Sequence, residues 1–532
     1  MSDRYRIGRS IDVIFPWFLG AVIVFMLASW IPHYLTWPFF MDPETFATLA
    51  VGWERGVRPH RDVISYNFPG QTYVFWLLGK AFGWGRSWTF YAWDAGLLLV
   101  LCGTLLHWSR RRLGGAVPGL IGILAVLVAY MNLDILLVAQ RDWHSTVFAF
   151  LAILAYQSTS SRIRFPLSAL LMGIASTFRP HVIFFLPSMY FAIVCEMTDD
   201  ERARLPAVAG RLFLWSLTCG LLSVACFLPL ISQGLVDDLV RALPLVRHGG
   251  SYAATTFEFA VVLFLSKFML REYVLLPVAI LALACREGGA SLRLAAPWLV
   301  TLPFAMVYQS VHPLNHFYLL LPMFLSFAVN LAIFASLVRK SFDERPTYAA
   351  LAMPLVAVLA FDKVPDFCRP SESVRAVREI LSGESPAVTP AGARKHFHDQ
   401  PVDTKDIDSG YRWQDYTAVL DYLRSNTDRD TQVAGAFKRY PFPAVNGPID
   451  RVSPWPGECG IGFIRVLGLD AESKFVEALK KAENSVVVWV PGETPSAERL
   501  KTTALDAYIR EAYEHEKTFG DIEIWRRRRS TQ

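Results

Sequence analysis

The chain of 532 residues is 53% hydrophobic and 19% charged, and its mean hydropathy is +0.31. Because a soluble chain carries about 25% charged residues, this composition excludes an ordinary soluble protein and predicts a membrane protein with several spans. The formal net charge is only +5, and no Lys/Arg-rich tract with interleaved aromatic residues occurs. A nucleic-acid partner is therefore excluded.

The N-terminus combines three arginines, Arg4, Arg6 and Arg9, with an apolar run over residues 13–31. A signal peptide has the same order of features, but this run is long and no A-x-A cleavage site follows it. We therefore predict an uncleaved first span whose N-terminus lies in the cytoplasm.

Apolar runs long enough to cross a bilayer recur along the chain, and we predict about eleven spans. They are 12–32, 89–108, 116–137, 145–160, 165–179, 181–197, 211–232, 271–285, 294–311, 317–338 and 347–362. Cations concentrate in every second connection: Arg110–Arg112, Arg162 with Arg164, Arg202 with Arg204 and Arg211, Arg286 with Arg293, and Arg339 with Lys340. By the positive-inside rule these connections face the cytoplasm, which predicts a multi-pass membrane protein.

The other connections are then extracytoplasmic, and an odd number of spans places the C-terminal part outside as well. These connections are 33–88, 138–144, the corner 179–181, 233–270 and 312–316. The first of them is the longest between two consecutive spans, and a connection of roughly 50 residues in that position is usually functional.

Helices are predicted within the outer connections. Asp42 is a good N-cap and Pro43 suits the first helical position, so one helix begins there. Its apolar face comprises Phe46, Leu49, Ala50 and Trp53. We expect this helix to lie flat on the membrane surface. A second helix is predicted over 70–82 and a third over 256–270.

From residue 363 the chain becomes polar. The predicted domains are a transmembrane domain over 1–362, a linker over 363–400, and an extracytoplasmic α/β domain over 401–532. The last contains predicted helices near 413–425, 471–482 and 496–517, and predicted strands near 432–437, 485–490 and 521–525. Helices that alternate with short strands indicate an α/β domain. The sequence leaves open whether Cys368 and Cys459 form a disulfide outside the cytoplasm.

Ionisable residues far apart in sequence are predicted to meet on the outer side. They are Asp42, Glu44, Arg58, His60, Arg61, Asp62, Arg141, Asp142, His144, Arg179, His181, His312 and His316. Several charged groups at one membrane interface indicate a site for a charged substrate that resides in the membrane. An anionic lipid headgroup fits best, because an arginine is able to donate two hydrogen bonds to one phosphate.

Structural roles stay open beside these functional ones. Asp42 and Glu44 also suit the first turn of any helix. Asp62 is able to pair with Arg58 or Arg61, and Arg141 with Asp142. His144 and His181 are also suited to hydrogen bonding at an interface.

Three motifs resemble those of the GT-C glycosyltransferases, in particular bacterial relatives of protein O-mannosyltransferases and of the lipid A aminoarabinose transferase. Met41-Asp42-Pro43-Glu44 stands where those enzymes carry an Asp-Glu or Asp-x-Glu motif. Residues 56–70 resemble their G-x-x-P-Y-x-D…P-P continuation, with His60 in place of Tyr and Gly70 in place of the second Pro. Residues 312–322 resemble their H-x-x-x-(R/H)-(F/Y)…P entry to a late span.

The resemblance implies a polytopic helix bundle of the bacterial inner membrane, mainly α, with a C-terminal α/β domain. It also implies transfer of a sugar from a polyprenyl-phosphate-linked donor to a lipid, polysaccharide or protein acceptor outside the cytoplasm. Asp42 would be the general base, with Glu44 and Asp62 as further catalytic candidates. Candidates for substrate binding are Arg58, His60, Arg61, Arg141, His144, Arg179, His312 and His316. We expect no cofactor, and no metal-ligand spacing occurs, although a carboxylate pair is able to bind a divalent cation.

Two alternatives stay open. A transporter or lipid flippase would place its ionisable residues near the bilayer midplane, on broken helices of repeated halves. An O-antigen ligase or polymerase would carry its large outer loop late in the chain. Here the ionisable residues crowd one face and the large loop is the first, so both alternatives are less favoured.

Overall fold

The computed structural model describes residues 3–39, 42–133, 135, 137–159, 161–244, 274–310, 321–342, 346–360, 370–382, 397–398, 411–437, 445–457, 472–490 and 503–528. The helices of the N-terminal part are α1 (Asp3–Tyr34), α2 (Asp42–Glu54), α3 (Gly70–Phe82), α4 (Ser87–Arg112), α5 (Ala116–Met131), α6 (Arg141–Ser158), α7 (Ser161–Phe178), a 3-10 helix (Pro180–Phe185), α8 (Leu186–Cys195), α9 (Asp199–Arg202), α10 (Leu205–Cys226), α11 (Leu228–Ile231), α12 (Val236–Ala242), α13 (Leu276–Glu287), α14 (Gly289–Ser310), α15 (Leu321–Ser341) and α16 (Pro346–Val358).

The C-terminal part contains both helices and strands. In chain order they are α17 (Pro370–Ser382), β1 (Phe397–His398), β2 (Tyr411–Arg412), α18 (Trp413–Asn426), β3 (Gln432–Phe437), α19 (Asn446–Ile449), α20 (Glu472–Lys481), β4 (Ser485–Val490), α21 (Thr503–Ala512), β5 (Tyr513–Phe519) and β6 (Ile522–Arg527).

Every segment predicted as a span falls on a helix of the bundle. Five of these helices are long and apolar enough to cross a bilayer: Val13–Tyr34, Ser87–Arg112, Leu205–Cys226, Gly289–Val307 and Leu321–Ser341. Large apolar side chains on α10 are exposed, including Phe213 and Leu221, as expected of a surface that contacts lipid. The chain is a multi-pass membrane protein, and the number of spans stays a prediction.

The cation-rich connections lie together at one end of the bundle. Arg112 at the end of α4 pairs with Glu196 after α8, and Arg111 donates to the carbonyl of Ser158 at the end of α6 across 3.0 Å. Arg293 of α14 approaches Asp199 of α9 at 3.7 Å. Since α6 ends here, its first residue lies at the opposite end of the bundle. The connections that alternate in charge along the sequence therefore lie at opposite ends of the helix bundle.

A four-stranded sheet forms the centre of the C-terminal domain, with strand order β3-β4-β6-β5. β3 and β4 are parallel, whereas β6 is antiparallel to both β4 and β5. Every residue of β4 is buried, which explains its run of valines, because a strand covered on both faces needs apolar residues throughout. The sheet packs against α18, α20 and α21.

One C-terminal prediction is wrong in part. Of the helix predicted over 496–517, the structure forms only α21 within the described residues, and residues 513–519 form β5. Glu514, Glu516 and Lys517 favour a helix locally, but pairing with β6 overrides this preference and places the charges on an exposed edge strand. The predicted linker contains α17, whose Ser373 hydroxyl donates to the carbonyl of Ser29 in α1.

Several predictions fall outside the described residues. They are the helix over 256–270, the motif that contains His312 and His316, and the pair Cys368 and Cys459.

The helices α2 and α3 of the first long connection form as predicted, but α2 is not a helix with a single buried face. It lies between the bundle and the C-terminal domain, and most of its residues from Pro43 to Gly52 are buried. The chain that follows α2 contacts the same domain, because the backbone N–H of Ile64 donates to the carbonyl of Pro456 across 2.8 Å. Helix α2 is therefore enclosed by protein on both sides.

Candidate functional site

Helix α2 begins with the two acids that the sequence singles out. Asp42 is partly exposed, and within the described ranges its carboxylate makes no ion pair and no hydrogen bond. Phe46 lies four residues further on, so both side chains project from the same face of the helix. Glu44 lies two residues from Asp42 and therefore points to a different side, where it is 1% exposed. The two carboxylates thus have different surroundings.

Arg141 faces the first turn of α2. It is the first residue of α6, and its guanidinium carbon lies 5.6 Å from the ring centre of Phe46. The side chain is 7% exposed, and its Nε and Nη1 atoms have no hydrogen-bond acceptor in the part of the chain that the structure describes. A buried charge is costly unless it is paired, so this position is suited to an anion that arrives with a ligand.

Asp142, the next residue, is paired. Its buried carboxylate accepts a hydrogen bond of 2.9 Å from Arg179, which precedes the 3-10 helix. Helix α3 begins against the same corner, because a Cβ at Gly70 would lie 2.7 Å from the hydroxyl of Thr177 and 2.9 Å from the backbone nitrogen of Phe178. Glycine permits this close approach. The starts of α3 and α6 and the end of α7 therefore meet, as the sequence predicted for their connections.

His144 belongs to a buried hydrogen-bond network inside the bundle. Its Nε2 lies 2.8 Å from Asp94 of α4, and its Nδ1 lies 2.9 Å from the side-chain oxygen of Gln71. The amide of Gln71 donates to the carbonyl of Ala139, which fixes its oxygen toward His144 and leaves Nδ1 as the donor. With 0% exposure, His144 holds α3, α4 and the segment before Arg141 together.

Two tyrosines complete this network. The hydroxyls of Tyr34 and Tyr130 donate to the second oxygen of Asp94 at 2.7 and 2.6 Å. The hydroxyl of Tyr130 also accepts from the backbone N–H of Ala139 at 2.9 Å. Asp94 therefore gathers hydrogen-bond partners from α1, α5 and α6, which is the interhelical bonding that a carboxylate inside a span requires.

The remaining ionisable residues of the first loop lie beyond the C-terminal end of α2. This helix has 13 residues, so the segment after Glu54 begins about 18 Å along its axis from Asp42. Arg58 donates to Asp62 at 2.8 Å in an exposed pair, and these hydrogen bonds hold the pKa of Asp62 below its usual value. Arg61 pairs with Asp238 of α12 at 2.8 Å. Both arginines thus have a carboxylate partner, which Arg141 lacks among the described residues.

His60 lies in the turn between these arginines. Its φ of 69° is in the left-handed region, which few residues other than glycine adopt. The ring is 7% exposed, and its Nδ1 donates to the carbonyl of Ser65 at 2.8 Å. Burial lowers the pKa of His60. The side chain therefore closes the turn from within.

The sequence did not reveal two partners of the site. Phe46 was assigned to an apolar face, whereas it lies beneath Arg141. Tyr416 of α18 was not singled out at all, and its hydroxyl donates to Glu44 at 3.3 Å. No sequence signal connects residues 372 positions apart. No group of three or more His, Cys, Asp or Glu side chains suited to a metal ion occurs among the described residues.

The helix bundle, the long first connection that carries α2 and α3, and the C-terminal sheet domain packed over α2 define a membrane protein with the GT-C fold. Solved structures with a similar fold include two crystal structures of ArnT from Cupriavidus metallidurans. The structure bound to undecaprenyl phosphate matches with a TM-score of 0.52 and 13% identity, over 97% of this chain and 98% of that chain. The apo structure matches with a TM-score of 0.56 and 12% identity, over 96% and 98%.

These identities are low, so the likeness shows the fold. It confirms the fold that the three motifs predicted. No family profile matches the chain, and no curated protein sequence matches it either.

Proposed function

We propose that the protein is a membrane glycosyltransferase that uses a polyprenyl-phosphate-linked sugar as donor. The observation that carries this proposal is Arg141, a buried guanidinium without an acceptor for Nε and Nη1 among the described residues, beside the acidic start of α2. A lipid phosphate would supply the missing acceptors. The ArnT of similar fold that binds undecaprenyl phosphate supports a lipid ligand of this class.

The reaction would use the two sides of this site in different ways. The carboxylate of Asp42 accepts the proton of the acceptor hydroxyl as that oxygen bonds to the anomeric carbon. The bond between the anomeric carbon and the phosphate oxygen breaks, and its electron pair leaves with the polyprenyl phosphate. Arg141 stabilises the charge that develops on this phosphate, which favours the transition state over the bound donor. Arg179 contributes positive charge nearby, although Asp142 neutralises much of it.

We also propose that α2, α3 and the C-terminal domain lie outside the cytoplasm. The gathering of cations at the other end of the bundle supports this orientation. The acceptor is then a molecule of the extracytoplasmic side.

Binding of undecaprenyl phosphate tests the lipid site. With full-length protein in nanodiscs, we expect Arg141→Ala to weaken binding by about ten- to a hundredfold, because charge-assisted hydrogen bonds are lost. Arg241→Ala is the matched control, since the side chain of this outer arginine is 79% exposed. This variant should bind undecaprenyl phosphate with the affinity of the wild type. Equal affinities of Arg141→Ala and wild type would contradict the proposal.

Release of undecaprenyl phosphate tests the reaction. A panel of undecaprenyl-phosphate-linked pentoses and hexoses is incubated with the protein and a cell-envelope extract as acceptor, and the released lipid phosphate is measured by mass spectrometry. We expect release from at least one donor and none after Asp42→Asn. Lipid binding without release from any donor would instead favour the flippase alternative.

A further inference from the structure

The C-terminal domain holds α2 at three levels along the helix. Near its start, Tyr416 donates to Glu44 at 3.3 Å. In the middle, Gly447 packs so closely that a Cβ there would lie 2.7 Å from the Cβ of Ala47. Just past the end, Arg55 pairs with Asp450 at 2.8 Å. One domain thus determines the position of the whole helix.

The contact at the start of α2 involves a buried carboxylate. Glu44 is 1% exposed and Tyr416 is equally buried, so this hydrogen bond forms away from water. Burial raises the pKa of Tyr416 well above its usual value, and the hydroxyl therefore keeps its proton and acts as the donor. The loss of a donor from a buried acceptor is costly, so this hydrogen bond favours one orientation of Glu44 against Tyr416.

Glu44 and Asp42 share the first turn of α2 but point to different sides. Phe46 faces Arg141, and Asp42, four residues before it, projects from the same side of the helix. Glu44 and Ala47, three residues apart, face the C-terminal domain. Because a helix rotates as one body, a bond that fixes Glu44 on one side also fixes the direction of Asp42 on the other.

We infer that Tyr416 is a positioning residue, through which the C-terminal domain holds Glu44 and thereby orients Asp42 toward the lipid phosphate site. The domain completes the site and is more than an appendage that captures the acceptor. This inference rests on the proposed function, since it assigns Asp42 the role given above.

The test is Tyr416→Phe in the full chain, which removes the hydroxyl and leaves the ring. With a donor that is active in the panel, we expect kcat to fall about tenfold, the effect of losing one buried hydrogen bond, with an unchanged KM for the lipid donor. The matched control is Tyr422→Phe on the same helix, whose hydroxyl donates to exposed Glu516 at 2.9 Å within the domain. It should turn over at the wild-type rate.

Testing Tyr416→Phe in a second variant, Glu44→Ala, distinguishes a positioning role of Tyr416 from a general loss of folding. In Glu44→Ala, the hydroxyl has lost this acceptor, so adding Tyr416→Phe should change kcat no further. A tenfold loss in both backgrounds, or a rise in donor KM with constant kcat, would overturn the inference.

Hydrogen exchange of residues 42–54 gives a readout that does not need activity. We expect faster exchange in Tyr416→Phe than in the wild type, and no change in Tyr422→Phe. If no donor of the panel reacts, the proposed function fails while this measurement still decides whether Tyr416 holds α2. Unchanged exchange in Tyr416→Phe would overturn the inference on its own.

Discussion

The guanidinium of Arg179 donates to the carboxylate of Asp142 across 2.9 Å, with Asp142 fully buried and the Arg179 side chain 12% exposed. The pair joins the corner after α7 to the first turn of α6. Arg141, the residue before Asp142, contacts the ring of Phe46 on α2 instead. Adjacent residues of α6 thus differ in role, because Asp142 fixes the helix while its neighbour keeps a charge available.

Arg179→Ala is expected to destabilise the protein by about 3–5 kcal/mol, because it leaves the Asp142 carboxylate buried without its cation. Thermal unfolding in detergent measures this loss. The double variant Arg179→Ala with Asp142→Ala should recover part of the stability, since the carboxylate that lost its cation is then absent. A wild-type melting temperature with a raised KM for lipid donor would instead assign Arg179 to the substrate.

Asp42→Asn is expected to leave the protein folded and to reduce sugar transfer by at least about a hundredfold, the usual contribution of a general base. Asparagine also caps a helix well, so α2 should form normally. Undecaprenyl phosphate binding should persist in this variant. Turnover at the wild-type rate would exclude Asp42 as the base.

Stability is expected to fall below about pH 6.5 through His60. Burial lowers its pKa in the folded state, so the unfolded chain binds more protons than the folded one as pH falls through the usual value of about 6.5. The contribution is present above that value and is lost in acid. Hydrogen exchange of residues 56–66 at pH 7.5 and pH 5.5 measures it.

His60→Asn serves as the matched variant for this experiment. Asparagine tolerates the left-handed conformation of the position and does not titrate. The local change between the two pH values should shrink in the variant. An equal change in both proteins would show that another group is responsible.

Gly447→Ala is expected to destabilise the contact between the C-terminal domain and α2 by about 1–3 kcal/mol, because its Cβ would overlap that of Ala47. Limited proteolysis of the first loop in the full chain provides the measurement. The double variant Gly447→Ala with Ala47→Gly removes the clash and should be cleaved more slowly than Gly447→Ala alone. Part of the stability is still lost, because a glycine within a helix is destabilising. Cleavage at the same rate in Gly447→Ala and wild type would argue against close packing.

The sequence predicts those parts of the molecule that depend on local signals. Helix α3 begins at Gly70 and ends at Phe82 as predicted, and α2 begins at the Asp42-Pro43 signal. The pairing of Arg58 with Asp62 was also an open alternative, because the two residues lie one helical turn apart in sequence.

Long-range partners escaped the sequence because nothing local encodes them. Arg61 pairs with a residue 177 positions away, and Glu44 with one 372 positions away. His144 was a candidate for substrate binding because of its place after Arg141 in sequence, but helical geometry turns it inward to Asp94. Strand β5 was predicted as helix because local propensity cannot anticipate a neighbouring strand.

The packing of the C-terminal domain against α2 has a consequence for biogenesis. Residues 42–54 leave the ribosome early, whereas α18 and α19, which enclose them, follow more than 350 positions later. During all of that synthesis the nascent helix lacks half of its native surroundings, and contacts so distant in sequence form late. Truncation before α18 would thus yield a chain that is inserted in the bilayer and yet inert.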